Sequence, residues 1–203
     1  MRLRSLILMV LLFAILSLPL LAAGTEEEKE LGFWVEAQVL SRKQPSRVIL
    51  WYEKDLTDSF GFFAFAWKES DGYREVLAGP TWKPFKELQI GFGIGREIVP
   101  GEDRGSRRLF FFDATKGDFN LYGAFENGRV SGPGHKVTAT YALNERLGIG
   151  AMTEKGLGLG PRLEYNVKKN VQIWGAALRG RVPNADDVLE KKTTVLLGVN
   201  YSF

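Results

Sequence analysis

The chain ends T-T-V-L-L-G-V-N-Y-S-F, Thr193 to Phe203. Val195, Leu197, Val199, Tyr201 and Phe203 fall at every second position, and Thr194, Leu196, Gly198, Asn200 and Ser202 fill the places between. A period of two belongs to a β-strand, whose alternate side chains point to opposite faces. One face of this strand is therefore wholly apolar and the other mixed. The chain stops on an aromatic residue with no polar tail, whereas the termini of soluble domains are usually exposed and poorly ordered.

This ending resembles the C-terminal signal of bacterial outer-membrane β-barrel proteins, with Gly198, aromatic Tyr201 and terminal Phe203 in the matching places. The resemblance covers this strand alone and names a class, not a family. It implies that the segment closes a barrel, that Gly198, Tyr201 and Phe203 form the signal read by the barrel-assembly machinery, and that the protein resides in the outer membrane.

The other end of the chain agrees. Arg2 and Arg4 precede an unbroken apolar run, Leu6 to Leu18, which Pro19 ends and Ala22-Ala23-Gly24 follows. This pattern predicts a cleaved signal peptide over residues 1–24; the apolar core is too short for a comfortable helical span. Residues 25–30 (T-E-E-E-K-E) form a short charged lead. Residues 31–203 then make one domain, and no later stretch is long and apolar enough for a transmembrane helix.

Composition narrows the chemistry. Hydrophobic residues make up 45% of the chain and aromatics 12%, with 23 Gly, a mixture suited to many short strands and turns. Loss of Arg2 and Arg4 with the leader leaves the charges nearly balanced, so nothing argues for a nucleic-acid partner. There are no cysteines and one histidine. Disulfides and thiol chemistry are excluded, a transition-metal site is disfavoured, and no cofactor is implied.

Alternation recurs along the chain. Trp34, Glu36 and Gln38 oppose Phe33, Val35, Ala37 and Val39; Trp51 and Glu53 oppose Val48, Leu50 and Tyr52. Residues 60–68 are apolar on both faces. The stretch from Tyr73 to Trp82 reads as the weakest strand, because Gly79-Pro80 interrupts it. The pattern continues through Leu88–Gly95, Arg107–Ala114, Phe119–Glu126, Lys136–Leu143, Leu147–Met152, Arg162–Val167, Val171–Ala177 and the closing strand. The reading is an all-β, antiparallel, up-and-down transmembrane barrel of about 12 strands, with 8 or 10 as alternatives. Counting back from Phe203, connections at 168–170, 144–146, 116–118, 83–87 and 55–59 should be periplasmic. Those at 181–192, 155–161, 127–134 and 99–106 are longer and should face outside, the asymmetry typical of such barrels. Phe33, Tyr52, Phe60, Phe112, Phe119, Tyr141, Tyr165, Tyr201 and Phe203 gather toward the periplasmic ends of apolar faces, as an interfacial aromatic belt would.

Two glycine-rich runs invite other readings and fail them. Gly91-Phe92-Gly93-Ile94-Gly95 lacks the helix of a dinucleotide site, and its glycines share one strand face, where they would smooth the lumen wall for a close neighbour. Gly156-Leu157-Gly158-Leu159-Gly160 lacks the Gly-Lys-Ser/Thr ending of a phosphate loop. Ser131, His135 and Glu126 could be cast as a rim hydrolase, but their spacing matches no enzyme signature, and an exposed loop-edge histidine is the plainer account.

The inward face carries the functional signal. Parity places Glu36, Glu53, Glu75, Asp113, Glu126, Glu154 and Glu164 inside, with Arg47, Lys136 and Arg162. Charges in a spanning chain must face water or one another. The same parity puts Trp34, Trp51, Phe63, Phe65, Trp67 and Trp174 inside, an aromatic lining that could fill the barrel or hold an apolar ligand. Pairing is expected between Lys136 and Glu126 and between Arg162 and Glu154. The leading expectation is a small channel or passive transporter for ions or small solutes, narrow, acidic and weakly cation-preferring. The alternatives are a structural or adhesive barrel acting through its outer loops, and a rim-site enzyme. Parity further predicts that Ile149→Arg, facing lipid, disrupts folding while Gly150→Ser is tolerated.

Overall fold

The computed structural model describes residues 32–102, 104–183 and 189–203. The expected signal peptide and charged lead lie outside the described residues, as does the middle of the connection expected at 181–192. The described chain is a closed antiparallel barrel of twelve strands with no helix. They are β1 (Phe33–Leu40), β2 (Arg47–Asp55), β3 (Phe60–Glu69), β4 (Arg74–Phe85), β5 (Leu88–Ile98), β6 (Gly105–Lys116), β7 (Phe119–Gly128), β8 (Gly132–Ala142), β9 (Leu147–Glu154), β10 (Gly158–Lys168), β11 (Val171–Pro183) and β12 (Leu189–Ser202). Each strand pairs with the next in sequence, and β1 pairs with β12 to close the ring. Closure removes every sheet edge, so backbone polar groups are paired where no water could serve them.

The closing seam runs from Trp34↔Ser202 to Leu40↔Leu196. Beyond it the Phe203 amide donates to the Phe33 carbonyl at 2.9 Å. The Phe203 ring lies 5.2 Å from Phe33 and 4.6 Å from Tyr201. The terminal aromatic therefore knits the first strand to the last at the end of the barrel where β1 begins and β12 stops, called here the terminal end.

Parity is kept all round the ring. Val195, Leu197 and Val199 are 45, 54 and 43% exposed on the outside, while Thr194 and Leu196 are 2 and 0% exposed inside. Ile94, Phe110, Leu163 and Ile173 continue the same exposed apolar outer band. An apolar outside and a polar or filled inside invert the plan of a soluble barrel, in the manner of an outer-membrane protein.

Three expectations need correction. First, β4 is not weak: it runs from Arg74 through Gly79 and Pro80 to Phe85, and the turn shrinks to residues 86–87. Gly79 and Pro80 pair with Phe63 and Phe62 of β3. They interrupt only the ladder to β5, which resumes in the same register at Thr81↔Gly91. Second, the long outer connections shorten. The 127–134 segment leaves only residues 129–131 unpaired and 155–161 only 155–157, because polar and glycine-rich stretches that look like loops continue as strand. Third, a Cβ at Gly150 would lie 2.0 Å from the Ala139 carbonyl oxygen, so serine there requires the backbone to move. A Cβ at Gly148 would meet the movable Glu164 side chain at 3.3 Å and the Tyr141 carbonyl oxygen at an ordinary contact distance of 3.7 Å.

Candidate functional site: the lumen

Side chains fill the lumen at mid-height. On one flank Trp51, Phe63 and Phe111 pack with centroids 5.0, 4.9 and 5.0 Å apart. Ile49, Phe65, Leu77, Leu109 and Ala124 complete this cluster from β2, β3, β4, β6 and β7. β5 contributes bare backbone. A Cβ at Gly91 would lie 2.0 Å from the Phe111 ring, and one at Gly93 would lie 2.6 Å from Phe63. The glycine run is a wall smoothed to receive two rings, as parity suggested. On the other flank Met152, Leu157, Trp174, Ala176, Leu178 and Leu196 form a second cluster. Gly198 makes room here, since its Cβ would fall 2.2 Å from the Trp174 indole. Leu157 folds into this cluster from the 155–157 connection, at the end of the barrel opposite the terminal end, called here the far end.

Charged crosspieces join the two flanks. Arg47 of β2 pairs with Glu69 beside it at 2.9 Å and reaches across the lumen to Glu154 of β9. Lys136 of β8 lies 3.6 Å from Glu36 of β1, which also accepts from Gln38. In each case the partners stand on strands nearly opposite in the ring. The expected pairings were local, Lys136 with Glu126 and Arg162 with Glu154, and neither forms. Arg162 instead pairs with Glu164 at 2.7 Å and stacks 3.9 Å over the Trp174 ring. The indole face attracts the guanidinium.

A tighter cluster sits toward the far end of β4–β7. Arg107 is bound by three carboxylates: Glu97 at 3.0 Å, Glu75 and Glu126. Glu97 accepts the Val130 and Ser131 amides at 2.7 and 3.3 Å. The Ser131 hydroxyl donates to Glu97 and accepts from Arg107. A Cβ at Gly105 or Gly128 would fall 2.7 or 2.3 Å from the Glu97 carboxylate, so both glycines leave room for it. The Tyr73 hydroxyl donates to Glu75; burial and that carboxylate push its pKa up, so the hydroxyl stays protonated. Glu69, Glu97 and Arg107 were not among the sequence candidates. Carrying the parity of β5 and β6 one step further, from Gly95 to Glu97 and from Leu109 back to Arg107, would have found the pair.

The terminal end is wetter. Glu53 accepts from Gln89 and from the Trp51 indole. Asp113 accepts from Asn120 at 2.6 Å. A cavity of about 280 Å³ opens here, lined by Thr115, Asn120, Thr140, Asn144, Glu164 and Asn166 among others.

The candidate rim triad does not assemble. Ser131 and Glu126 are engaged with the Arg107 cluster, whereas His135 is exposed on the outward face of β8, opposite Phe125. Among the described residues no group of three or more His, Cys, Asp or Glu could hold a metal ion.

A closed ring of twelve antiparallel strands with an apolar outer band and ion-paired charges inside defines the class of bacterial outer-membrane β-barrels. No protein-family model matches the chain, and no curated protein matches it by sequence. Solved structures do share its fold. A KdgM porin in complex with disordered oligogalacturonate is 16% identical, with TM-score 0.53, over 84% of this chain and 98% of that one. A NanC porin is 10% identical, with TM-score 0.56, over 84% of this chain and 100% of that one. Outer membrane phospholipase A from Escherichia coli is 11% identical, with TM-score 0.55, over 89% of this chain and 94% of that one. At such identities the likeness speaks for the fold.

Proposed function

We propose that the protein is a narrow outer-membrane channel that rests closed, with its terminal end in the periplasm and its far end outside. The observation that carries this reading is the pair of crosspieces, Arg47–Glu154 and Lys136–Glu36. Buried ion pairs are a weak way to seal a lumen, because apolar residues of similar volume usually do as well or better. The β2–β7 flank is sealed in that stronger way. Charged pairs that water can solvate once parted fit the place where a path opens. Fold likeness to porins supports the same reading, and outer connections of a few residues offer little surface for adhesion.

Lumen charge favours cations in the open state. Toward the terminal end Glu53 and Asp113 have amide partners rather than cations. Around Arg107 three carboxylates answer one guanidinium. Carboxylate-lined constrictions prefer cations. Reversal potentials of the refolded protein in a KCl gradient test this. A potential displaced toward that of potassium is expected, and one displaced toward chloride contradicts the charge argument. Gly198, Tyr201 and Phe203 keep their proposed role as the assembly signal. The packing of Phe203 on Phe33 supports it, and deletion of Phe203 should leave the chain out of the outer membrane.

A further inference from the structure

On the outside of the barrel, near the far end, four cations stand on four consecutive strands. Lys68 of β3, Arg74 of β4, Arg96 of β5 and Arg108 of β6 are all exposed on the outward face. Lys68 and Arg74 are direct cross-strand partners. Arg96 is one step diagonal from Arg74, since it faces Val76; Arg108 is one step diagonal from Arg96, since it faces Ile94. Neighbours of this kind lie within reach of long side chains, and like charges so placed destabilise a sheet. No ion pair relieves them among the described residues. The glutamates of these strands, Glu69, Glu75 and Glu97, point the other way, into the lumen. Immediately toward the membrane the same face turns apolar, with Val76 61% and Ile94 64% exposed. The cations therefore stand at the height where hydrocarbon gives way to headgroups.

We infer that this ladder binds the phosphate groups of phosphorylated lipid in the outer leaflet. The inference rests on the outer-membrane reading and on the orientation proposed above. Arg and Lys recognise phosphate oxygens through charge-assisted hydrogen bonds, which Arg makes in pairs. A layer of phosphates would cancel the repulsion that the ladder otherwise carries. It would also hold the β3–β6 flank at a fixed depth, since each basic side chain near an anionic surface gains attraction there.

The test uses the refolded full chain in detergent, probed by native mass spectrometry with bis-phosphorylated lipid A and with its dephosphorylated form. The wild type should retain the phosphorylated lipid roughly tenfold or more over the other. The variant Lys68→Gln/Arg74→Gln/Arg96→Gln/Arg108→Gln should lose that preference. Lys54→Gln/Lys116→Gln, which removes outward cations at the terminal end, should keep it. Equal retention of both lipids by the folded wild type overturns the inference, and so does full preference in the quadruple variant. If the quadruple variant does not fold, Arg96→Gln/Arg108→Gln takes its place, and undiminished preference there counts against the ladder. A chain that forms a heat-modifiable barrel but ignores phosphate sinks this inference alone. A chain that forms no barrel in any lipid or detergent sinks the outer-membrane reading beneath it.

Discussion

The flank of the lumen built by β2–β7 is filled with rings. The flank built by β8–β12 carries smaller side chains and one indole, and charge bridges it to β1 and β2. Trp51, Phe63 and Phe111 interlock ring against ring. Opposite them, Arg162 and Lys136 lie over Trp174 at 3.9 and 5.7 Å, and Lys136 and Glu154 reach for partners across the lumen. Both arrangements fill the lumen, but they differ in what opening costs. Parting stacked rings exposes apolar surface, at about 25 cal/mol per Å². Parting an ion pair into an incoming water column restores hydration that burial had removed. On the proposed reading one flank is a wall, and the other is the side on which a path forms.

The wall can be broken where its packing is densest. Phe63 has no exposed surface, and Phe63→Ala should cost about 3–5 kcal/mol. Urea unfolding of the refolded protein measures the loss. Conductance should not rise with it, because the cavity left would be apolar and dry. A large conductance in Phe63→Ala would erase the distinction between the flanks.

Arg107 tests the charged end of the same strands. Arg107→Ala strands three carboxylates, at about 3–5 kcal/mol. Here the pH dependence has a definite sign. Protonation removes the stranded charges, so the deficit relative to wild type should be largest at neutral pH and shrink on acidification. A deficit independent of pH would mean that packing, not charge, is what the arginine supplies.

Outside, the contrast is between faces rather than flanks. Ile149 is 41% exposed on the outer band, and Ile149→Arg should cost about 2–4 kcal/mol. Gly148→Ser, pointing inward, should cost under about 0.5 kcal/mol, in the range of ordinary surface changes. Folding yields in lipid compare the two, and equal yields would put the membrane assignment in doubt. The smallest stability effect belongs to the terminal end. Asp113→Asn should leave stability within about 0.5 kcal/mol while moving the reversal potential away from that of potassium.

Much of this was legible in the sequence, for a physical reason. A strand that faces lipid on one side must be apolar at every second residue, so Val195, Leu197 and Val199 declare both the element and its orientation. Parity alone placed the candidate carboxylates of the lumen inside. What parity cannot see is which charge meets which, since that depends on side chains crossing a space of unknown width. Arg47–Glu154 and Lys136–Glu36 join residues about a hundred positions apart in the chain. The nearer pairings expected from adjacent strands were the natural guess and were wrong. Of the Arg107 cluster, Glu75 and Glu126 read as inward from the sequence, whereas Glu97 falls past the strand end at Gly95 and Arg107 stands at the very start of its strand pattern. Gly105 and Gly128 look like turn residues, yet they are paired strand positions that clear space for Glu97.

The central claim is that the crosspieces hold the lumen shut. Planar-bilayer recording of wild type and of Arg47→Ala/Lys136→Ala tests it most directly, because the double variant frees both bridges and leaves the aromatic wall intact. The wild type should stay closed for most of the record, with small cation-preferring openings. The variant should be open roughly tenfold more of the time, as expected if parting the bridges removes about 1.4 kcal/mol or more from the closed state. Silence from a correctly folded double variant would contradict the account and leave a permanently filled barrel.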